Sequence, residues 1–429
     1  MANVLFSNVR IFDGTGSQPY TGDVLVQGNR VARIARGARA MPVAGVTTID
    51  GAGATLMPGM CEAHTHFAWN DQPTLDSIQK MPTEEHILWC AHIAKRYLDR
   101  GWTSCVGAAT AKPRLDVVIR NAINAGQIPG PRYLACTPEI TVLGGLGDDM
   151  PPHLPFEELS FGAIVSGPEE MRATVRRFLK YGVDTVKLNL SGEHMAGIHA
   201  ELTLFSEEEI SMAVAETRRR GKRIAAHARS AESVKQCVRH GIEIIYHANY
   251  ADEEALDMLE AAKDRHFVAP ALGFHVCILN DEGAKHGFPA SLGRQLGYER
   301  ELELSIEVLQ KMKKRGIRVM PGGDYGFAWT PHGTNAKDME YFVKIFGFSP
   351  MEVLLSVTKH GGEIMMRPND LGQIKEGALA DLLLVDGDPL ADITILQDQA
   401  RILAVMKDGE FHRAPNLRSA PRRLGLSAA

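Results

Sequence analysis

PGMCEAHTHF, residues 58–67, opens the part of the chain whose reading decides the fold. Its apolar residues read as a short buried strand that runs into His64, Thr65 and His66. Further short apolar runs follow: TSCVGAA (103–109), RYLACT (132–137), DTVKLNL (184–190), RIAAHA (223–228), IEIIYHA (242–248), FVAPAL (267–272) and IRVMPGG (317–323). Helical patterns such as EEHILWCAHIAKRYLDRG (84–101) and PEEMRATVRRFLKYG (168–182) lie between them. In the first of these, Ile87, Trp89, Cys90, Ile93, Ala94, Tyr97 and Leu98 form one broad stripe, and Gly101 ends the helix. About eight strand–helix units thus occupy residues 59–365, which predicts an α/β fold, a (β/α)8 barrel of the TIM type. A doubly wound open sheet is the competing arrangement of the same pattern.

Both chain ends read differently. VLFSNVRIFDG (4–14), GDVLVQGNRVARIA (22–35) and TTIDGAGATLMPG (47–59) alternate Val, Ile and Phe with polar residues, punctuated by Gly and Asp-Gly. The signature returns in ALADLLLVDGD (378–388), ITILQ (393–397) and ARILAVMKDGEF (400–411). The expected organisation is a small β-sandwich domain built from residues 1–58 and 366–413 around a barrel at 59–365, with a tail at 414–429.

The 429 residues carry 47 Lys plus Arg against 52 Asp plus Glu, a net charge of −5, which offers no electrostatic reason to expect nucleic acid or an anionic membrane as partner. MANVLFSNVR lacks the basic and apolar regions of a secretory signal, and no run of ~18 apolar residues is present to span a bilayer. The six cysteines are scattered without a C-x-x-C pair, as expected of reduced thiols. A cytoplasmic location fits these features; a small-molecule substrate and a homo-oligomer are expectations that rest on the family resemblance described below.

Catalytic groups of a barrel sit at the C-terminal ends of its strands. Five strand candidates end in or carry such groups: His64 and His66 on the first, Lys187 within the fourth, His227 after the fifth, His247 after the sixth, and Asp324 after the eighth. On a strand, His64 and His66 face the same side, where a divalent metal would hold both. HxH pairs also arise by chance. Lys187 interrupts an apolar strand, so its amine must be paired, neutral or chemically altered, or must snorkel to a surface carboxylate. Taken singly, His227 and His247 suit a hydrogen-bonded core and Asp324 suits a turn cap; their shared position at strand ends points to ligation.

PGMCEAHTHF, the strand lysine in VDTVKLNLSG, AAHARS, YHAN, PGGDYG, PHGTN and the LGQIKEGALADLLLVDGDPLADI tail occur in an order that resembles the metal-dependent amidohydrolase superfamily, in its imidazolonepropionase-like and prolidase-like branch. The resemblance implies a binuclear centre. His64, His66 and Asp324 would bind one divalent ion, and His227 and His247 the second. Lys187, carboxylated by carbon dioxide, would bridge them. It further implies a hydroxide attacking a carbonyl, with Asp324 as general base and acid and His247 beside it as a catalytic ligand. Zinc suits the donor set, with cobalt or manganese as alternatives.

The chain departs from its relatives at Gly144-Gly145-Leu146-Gly147-Asp148, where a histidine is common, at Ser191-Gly192-Glu193 in place of Ser-Gly-Gly, and at Tyr246-His247-Ala248 in place of Glu-His-Gly. These changes leave the implied ligands intact and weaken a peptide-like specificity. Phe67, Trp69, Tyr325, Phe327 and Trp329 flank the ligand positions, which favours a flat aryl group. HTHFAWN is also similar to the branch members that hydrolyse phenylureas and molinate. Arg229 is expected either to grip a substrate carboxylate or to form a surface salt bridge. His332, His275 and His194 are further loop candidates for substrate contact, alongside Trp69, Tyr325 and Trp329. Cys61 lacks any base pattern that would make it a nucleophile. The expected reaction is hydrolysis of an amide, urea or carbamate C–N bond in a small aromatic molecule. A deaminase, a hydrolase of N-acyl amino acids or dipeptides, and a non-catalytic scaffold are the rival readings.

Overall fold

The computed structural model describes residues 3–41, 45–153 and 160–415; most of the expected tail, residues 416–429, lies outside them. Seventeen strands are present among the described residues. Eight belong to one sheet made from both ends of the chain: β1 (Asn3–Ile11), β2 (Tyr20–Gln27), β3 (Arg30–Arg36), β4 (Thr47–Asp50), β5 (Thr55–Pro58), β15 (Leu382–Val385), β16 (Ile402–Lys407) and β17 (Glu410–Arg413). Its order is β17-β16-β15-β5-β1-β2-β3, with β4 beside β1. The strands expected to form the small sandwich are joined by hydrogen bonds into one continuous sheet. ITILQ, expected in this sheet, is instead a 3-10 turn over Ile393–Gln397, where Asp392 caps the backbone of Thr394.

Period-two alternation explains how this sheet serves two cores. Leu382 and Leu384 join Leu56, Val24 and Met406 in the sheet's own core. Leu383 and Val385 point the other way, into the main core with Met57, Met60 and Trp102.

The middle of the chain holds the parallel strands β6 (Met60–Thr65), β7 (Trp102–Gly107), β8 (Arg132–Leu134), β9 (Cys136–Val142), β10 (Ala163–Val165), β11 (Thr185–Asn189), β12 (Arg223–Ala228), β13 (Ile244–His247) and β14 (Phe267–Ala269). They form a three-stranded sheet, β6-β7-β8, and a six-stranded sheet, β10-β9-β11-β12-β13-β14. Every residue of β6, β7, β11, β12, β13 and β14 is buried, as strands covered on both faces require. Only Ala135 separates β8 from β9.

The eighth strand candidate, IRVMPGG, does not extend the ladder. Val319 makes an isolated parallel bridge to Val268, with Met320 N donating to Val268 O at 2.8 Å. No ladder joins it to β6 among the described residues, so a closed hydrogen-bonded barrel is not present. Pro321 removes a donor and two glycines follow, which ends the pairing there. Packing does bring this segment to β6: a Cβ on Gly322 would stand 2.9 Å from the His64 Cβ and 3.1 Å from the Ala269 Cβ.

Helices alternate with these strands. Thr83–Asp99 buries Cys90, Ile93, Ala94, Tyr97 and Leu98, while Ile87 and Trp89 of the expected stripe are partly buried against the same core. Pro168–Tyr181 ends on Gly182 at φ 98°, a left-handed terminus that glycine adopts without strain. Ser206 and Glu209 make a reciprocal cap for Glu207–Arg218, and Ser230 caps Ala231–His240 at the mouth of β12. All six cysteines are buried free thiols, and burial pushes the Cys61 thiol up, away from nucleophilic use. No helix among the described residues is long and apolar enough to cross a membrane.

Leu383 ties the end-built sheet to the helices and strands of the middle. Leu383→Ala is expected to destabilise the protein by about 2–5 kcal/mol through lost transfer energy and a residual cavity. A denaturant titration would show this as a lowered midpoint with an unchanged slope.

Candidate metal centre

His64 and His66 sit at the end of β6, and both rings face the same interior space. Their Nε2 atoms lie 3.7 and 3.0 Å from Oδ1 of Asp324. Donor atoms of these three residues all fall within 4.8 Å of one another, the spacing of a metal-binding triad. His66 Nδ1 lies 3.1 Å from the carbonyl of Ala109, which fixes the tautomer and leaves Nε2 free for Asp324 or a cation. His64 Nδ1 is buried without a hydrogen-bond partner.

β12 and β13 deliver the second pair. The rings of His227 and His247 are 4.3 Å apart, and His247 is 5.4 Å from His64, so the four imidazoles form a chain across the strand ends. His227 Nε2 contacts the Gly192 carbonyl at 3.0 Å, leaving Nδ1 inward; His247 Nδ1 has no partner. No third His, Cys, Asp or Glu donor completes this pair at metal-binding spacing among the described residues. Lys187 lines the same cavity from β11.

Backbone strain concentrates here. His247, Ala248 and Asp324 have φ of 76°, 58° and 56°, a left-handed region that costs non-glycine residues energy and that functional sites retain.

Burial pushes the His64, His227 and His247 rings well below the ordinary imidazole range, so they remain neutral and their lone pairs stay available. Burial pushes the Asp324 carboxyl up. His64, His66 and Lys187 outweigh that and hold it well below the ordinary carboxylate range. Lys187 is 1% exposed, so it does not snorkel to the surface. Its partners are Glu139, with Oε1 at 3.9 Å, and the Tyr246 ring at 5.0 Å. An amine so poorly compensated, among neutral imidazoles with unpartnered nitrogens, fits a site built for cations.

The cavity and its solvent-open mouth together span about 470 Å3, with Trp69, Leu75, Leu146, Met195, Phe274 and Phe327 as the apolar lining. The Trp69 ring stacks on His66 at 3.8 Å. Of the sequence candidates for substrate contact, Trp69 and Arg229 line the cavity. His275, Tyr325, Trp329 and His332 are buried behind it. Trp329 stacks with Phe327, and His332 supports the backbone, with Nε2 2.8 Å from Trp69 O. Phe67 packs on Tyr97 and Tyr133 instead of facing the cavity. His194 sits against Tyr250 and Tyr298.

Arg229 is not on the surface. It is 2% exposed and ion-paired to Glu193 and to Glu301, with Glu301 Oε1 at 2.6 Å. Glu139, Glu301 and Phe274 were not singled out from the sequence. Glu139 stands in β9, but its neighbours look like an ordinary strand end. Glu193 was visible as a departure from Ser-Gly-Gly. Glu301 lies in a helix whose periodicity gives no hint of ionic burial.

The amidohydrolase family model matches residues 55–411. The chain belongs to that family. Its members generally use a metal centre, and the protein is a hydrolase acting on carbon–nitrogen bonds. It is 25% identical over 385 residues to ochratoxinase of Aspergillus niger, covering 84% of this chain and 76% of that protein. A solved amidohydrolase superposes with a TM-score of 0.85 at 26% identity, covering 97% of this chain and 100% of the other. A Xaa-Pro dipeptidase solved with methionine in its active site gives 0.84 at 25% identity, with 96% and 100% covered. These neighbours imply a TIM-barrel-like α/β fold with an extra domain, although the ladder here stays open between its last segment and β6.

Burial holds His332 down to about 3 from an ordinary 6.5. Between these values the unfolded chain takes up a proton that the folded chain refuses, so stability falls as pH drops from 6.5 toward 3. Thermal melts of His332→Gln between about pH 7 and pH 4 should show a shallower loss than wild type, by up to about 3 kcal/mol at the acidic end.

Proposed function

We propose that this protein is a binuclear metal hydrolase that cleaves an amide, urea or carbamate C–N bond in a small aryl substrate. The carrying observation is the convergence of His64, His66, Lys187, His227, His247 and Asp324 on one cavity. His64, His66 and Asp324 would hold one divalent ion and His227 and His247 another, with Lys187 as its carbon dioxide adduct between them. Carboxylation turns a poorly compensated amine into an anionic oxygen ligand, which suits a buried position between cations. Imidazole and carboxylate oxygen donors favour zinc. When bound, such ions supply Lewis acidity toward a carbonyl oxygen and lower the pKa of water.

The chain's own residues supply the rest. Asp324, kept ionised by its neighbours, takes the proton of the attacking water and returns it to the departing nitrogen. His247 is held by its strained backbone against His227 and His64, which fixes its orientation for the reacting group. Trp69, Phe274 and Phe327 give an apolar wall suited to a flat ring and exclude water from the reacting carbonyl.

A panel of anilides, arylureas and N-acyl amino acids, assayed with metal-loaded protein, tests the substrate class. Aryl compounds should turn over fastest; faster turnover of aliphatic dipeptides, or release of ammonia from aryl amines instead of C–N cleavage between acyl and amine, overturns it. Asp324→Asn should lower kcat by about 10²–10⁴-fold, the usual worth of a positioned acid–base group. Lys187→Ala should lose most of its bound metal, read by elemental analysis. Full occupancy with undiminished turnover in Lys187→Ala would refute the bridging role.

A further inference from the structure

Arg229 offers the cavity a guanidinium, the group best shaped to grip a carboxylate through two parallel hydrogen bonds. Its terminal nitrogens are already taken. Nη2 is ion-paired to Glu193, and Nη1 donates to Glu301 Oε1 at 2.6 Å. His275 Nε2 stands 3.1 Å from Nη1. The same Nε2 is 3.4 Å from Glu301 Oε2. Arg229 Nε is buried and unpartnered, but a single N–H does not make the fork that a carboxylate needs.

Both glutamates are locked in place. Glu193 Oε1 accepts from Tyr298 OH at 2.5 Å, and Glu301 Oε1 accepts from Asn249 Nδ2 at 2.7 Å. Glu301 is 0% exposed and Glu193 7%, so neither can swing out into solvent to release the guanidinium. Two carboxylates on one guanidinium leave a negative charge in excess on this wall.

We propose that the Glu193–Arg229–Glu301 cluster sets substrate charge, so that the site selects neutral or cationic groups and rejects a carboxylate next to the scissile bond. This rests on the hydrolase reading above and sharpens its substrate class. The mechanism is direct: a substrate carboxylate entering here meets Glu193 at short range among buried side chains, and finds no free cationic fork to balance it.

Two amides that differ by a carboxylate test this: N-benzoylphenylalanine and N-benzoyl-2-phenylethylamine, assayed with the metal-loaded enzyme. Wild type should favour the neutral amide in kcat/KM by about tenfold or more, and Glu193→Gln, which keeps the Tyr298 contact, should shrink that ratio by about tenfold. Glu301→Gln, checked for folding by circular dichroism, should shrink it as well. Equal or better cleavage of the acid by wild type, or a ratio unchanged in both variants, overturns the charge inference while leaving C–N hydrolysis intact. Cleavage of neither amide counts against the aryl-amide reading. The charge inference is then decided by calorimetric Kd values for 3-phenylpropanoate against 3-phenylpropanol. Glu193→Gln should shift that ratio toward the acid, and an unmoved ratio refutes the cluster's role.

Discussion

The contact between Asp324 and the two histidines of β6 joins the last parallel segment to the first strand. No hydrogen-bonded ladder does so among the described residues. Oδ1 of Asp324 lies 3.0 Å from His66 and 3.7 Å from His64, and Gly322 packs on the His64 Cβ two residues earlier. Closure and site construction are therefore one event. The glycines permit the close approach, Pro321 ends the pairing, and the left-handed backbone of Asp324 aims its carboxylate at the imidazoles.

Electrostatics divides the cavity into two regions. Around His64, His227 and His247 burial keeps the rings neutral, His64 Nδ1 and His247 Nδ1 lack partners, and Lys187 has one carboxylate at 3.9 Å. Such a region is costly to bury as it stands, which is the physical ground for the metal site proposed above. Across from it, Arg229, Glu193 and Glu301 satisfy one another at hydrogen-bond distance, with Asn249 and Tyr298 supporting the carboxylates. That region pairs its ions internally, although Arg229 Nε and Glu301 Oε2 keep no hydrogen-bond partner. On the proposed reading, one wall would hold the reacting groups and the other would screen them by charge, a way for one family fold to differ in what it accepts.

The strand-end rule brought the six proposed ligands to attention because each interrupts or terminates an apolar run, a disturbance visible in one dimension. Substrate contacts were harder to read. Tyr325 and Trp329 follow Asp324 closely in sequence, yet both rings turn into the packing behind the cavity, while Phe274, 50 residues before Asp324, reaches it. His275 and His332 are buried in hydrogen-bonded positions where an imidazole resembles a ligand in sequence alone. Glu301 gave no signal, since a glutamate on a charged helix looks solvated until its partner Arg229 arrives from 72 residues away.

Local periodicity by itself determined the alternation of buried strands and amphipathic helices, the building of one sheet from both chain ends, and the placement of chemistry at strand termini. Those features depend on neighbours within a few residues, where apolar spacing and backbone propensity act. Tertiary structure alone decided that the parallel ladder stops short of closing, that ITILQ winds into a 3-10 turn, and that Arg229 is neutralised instead of free. Each of these depends on which distant group arrives within hydrogen-bonding range, and short-range patterning carries no record of that arrival.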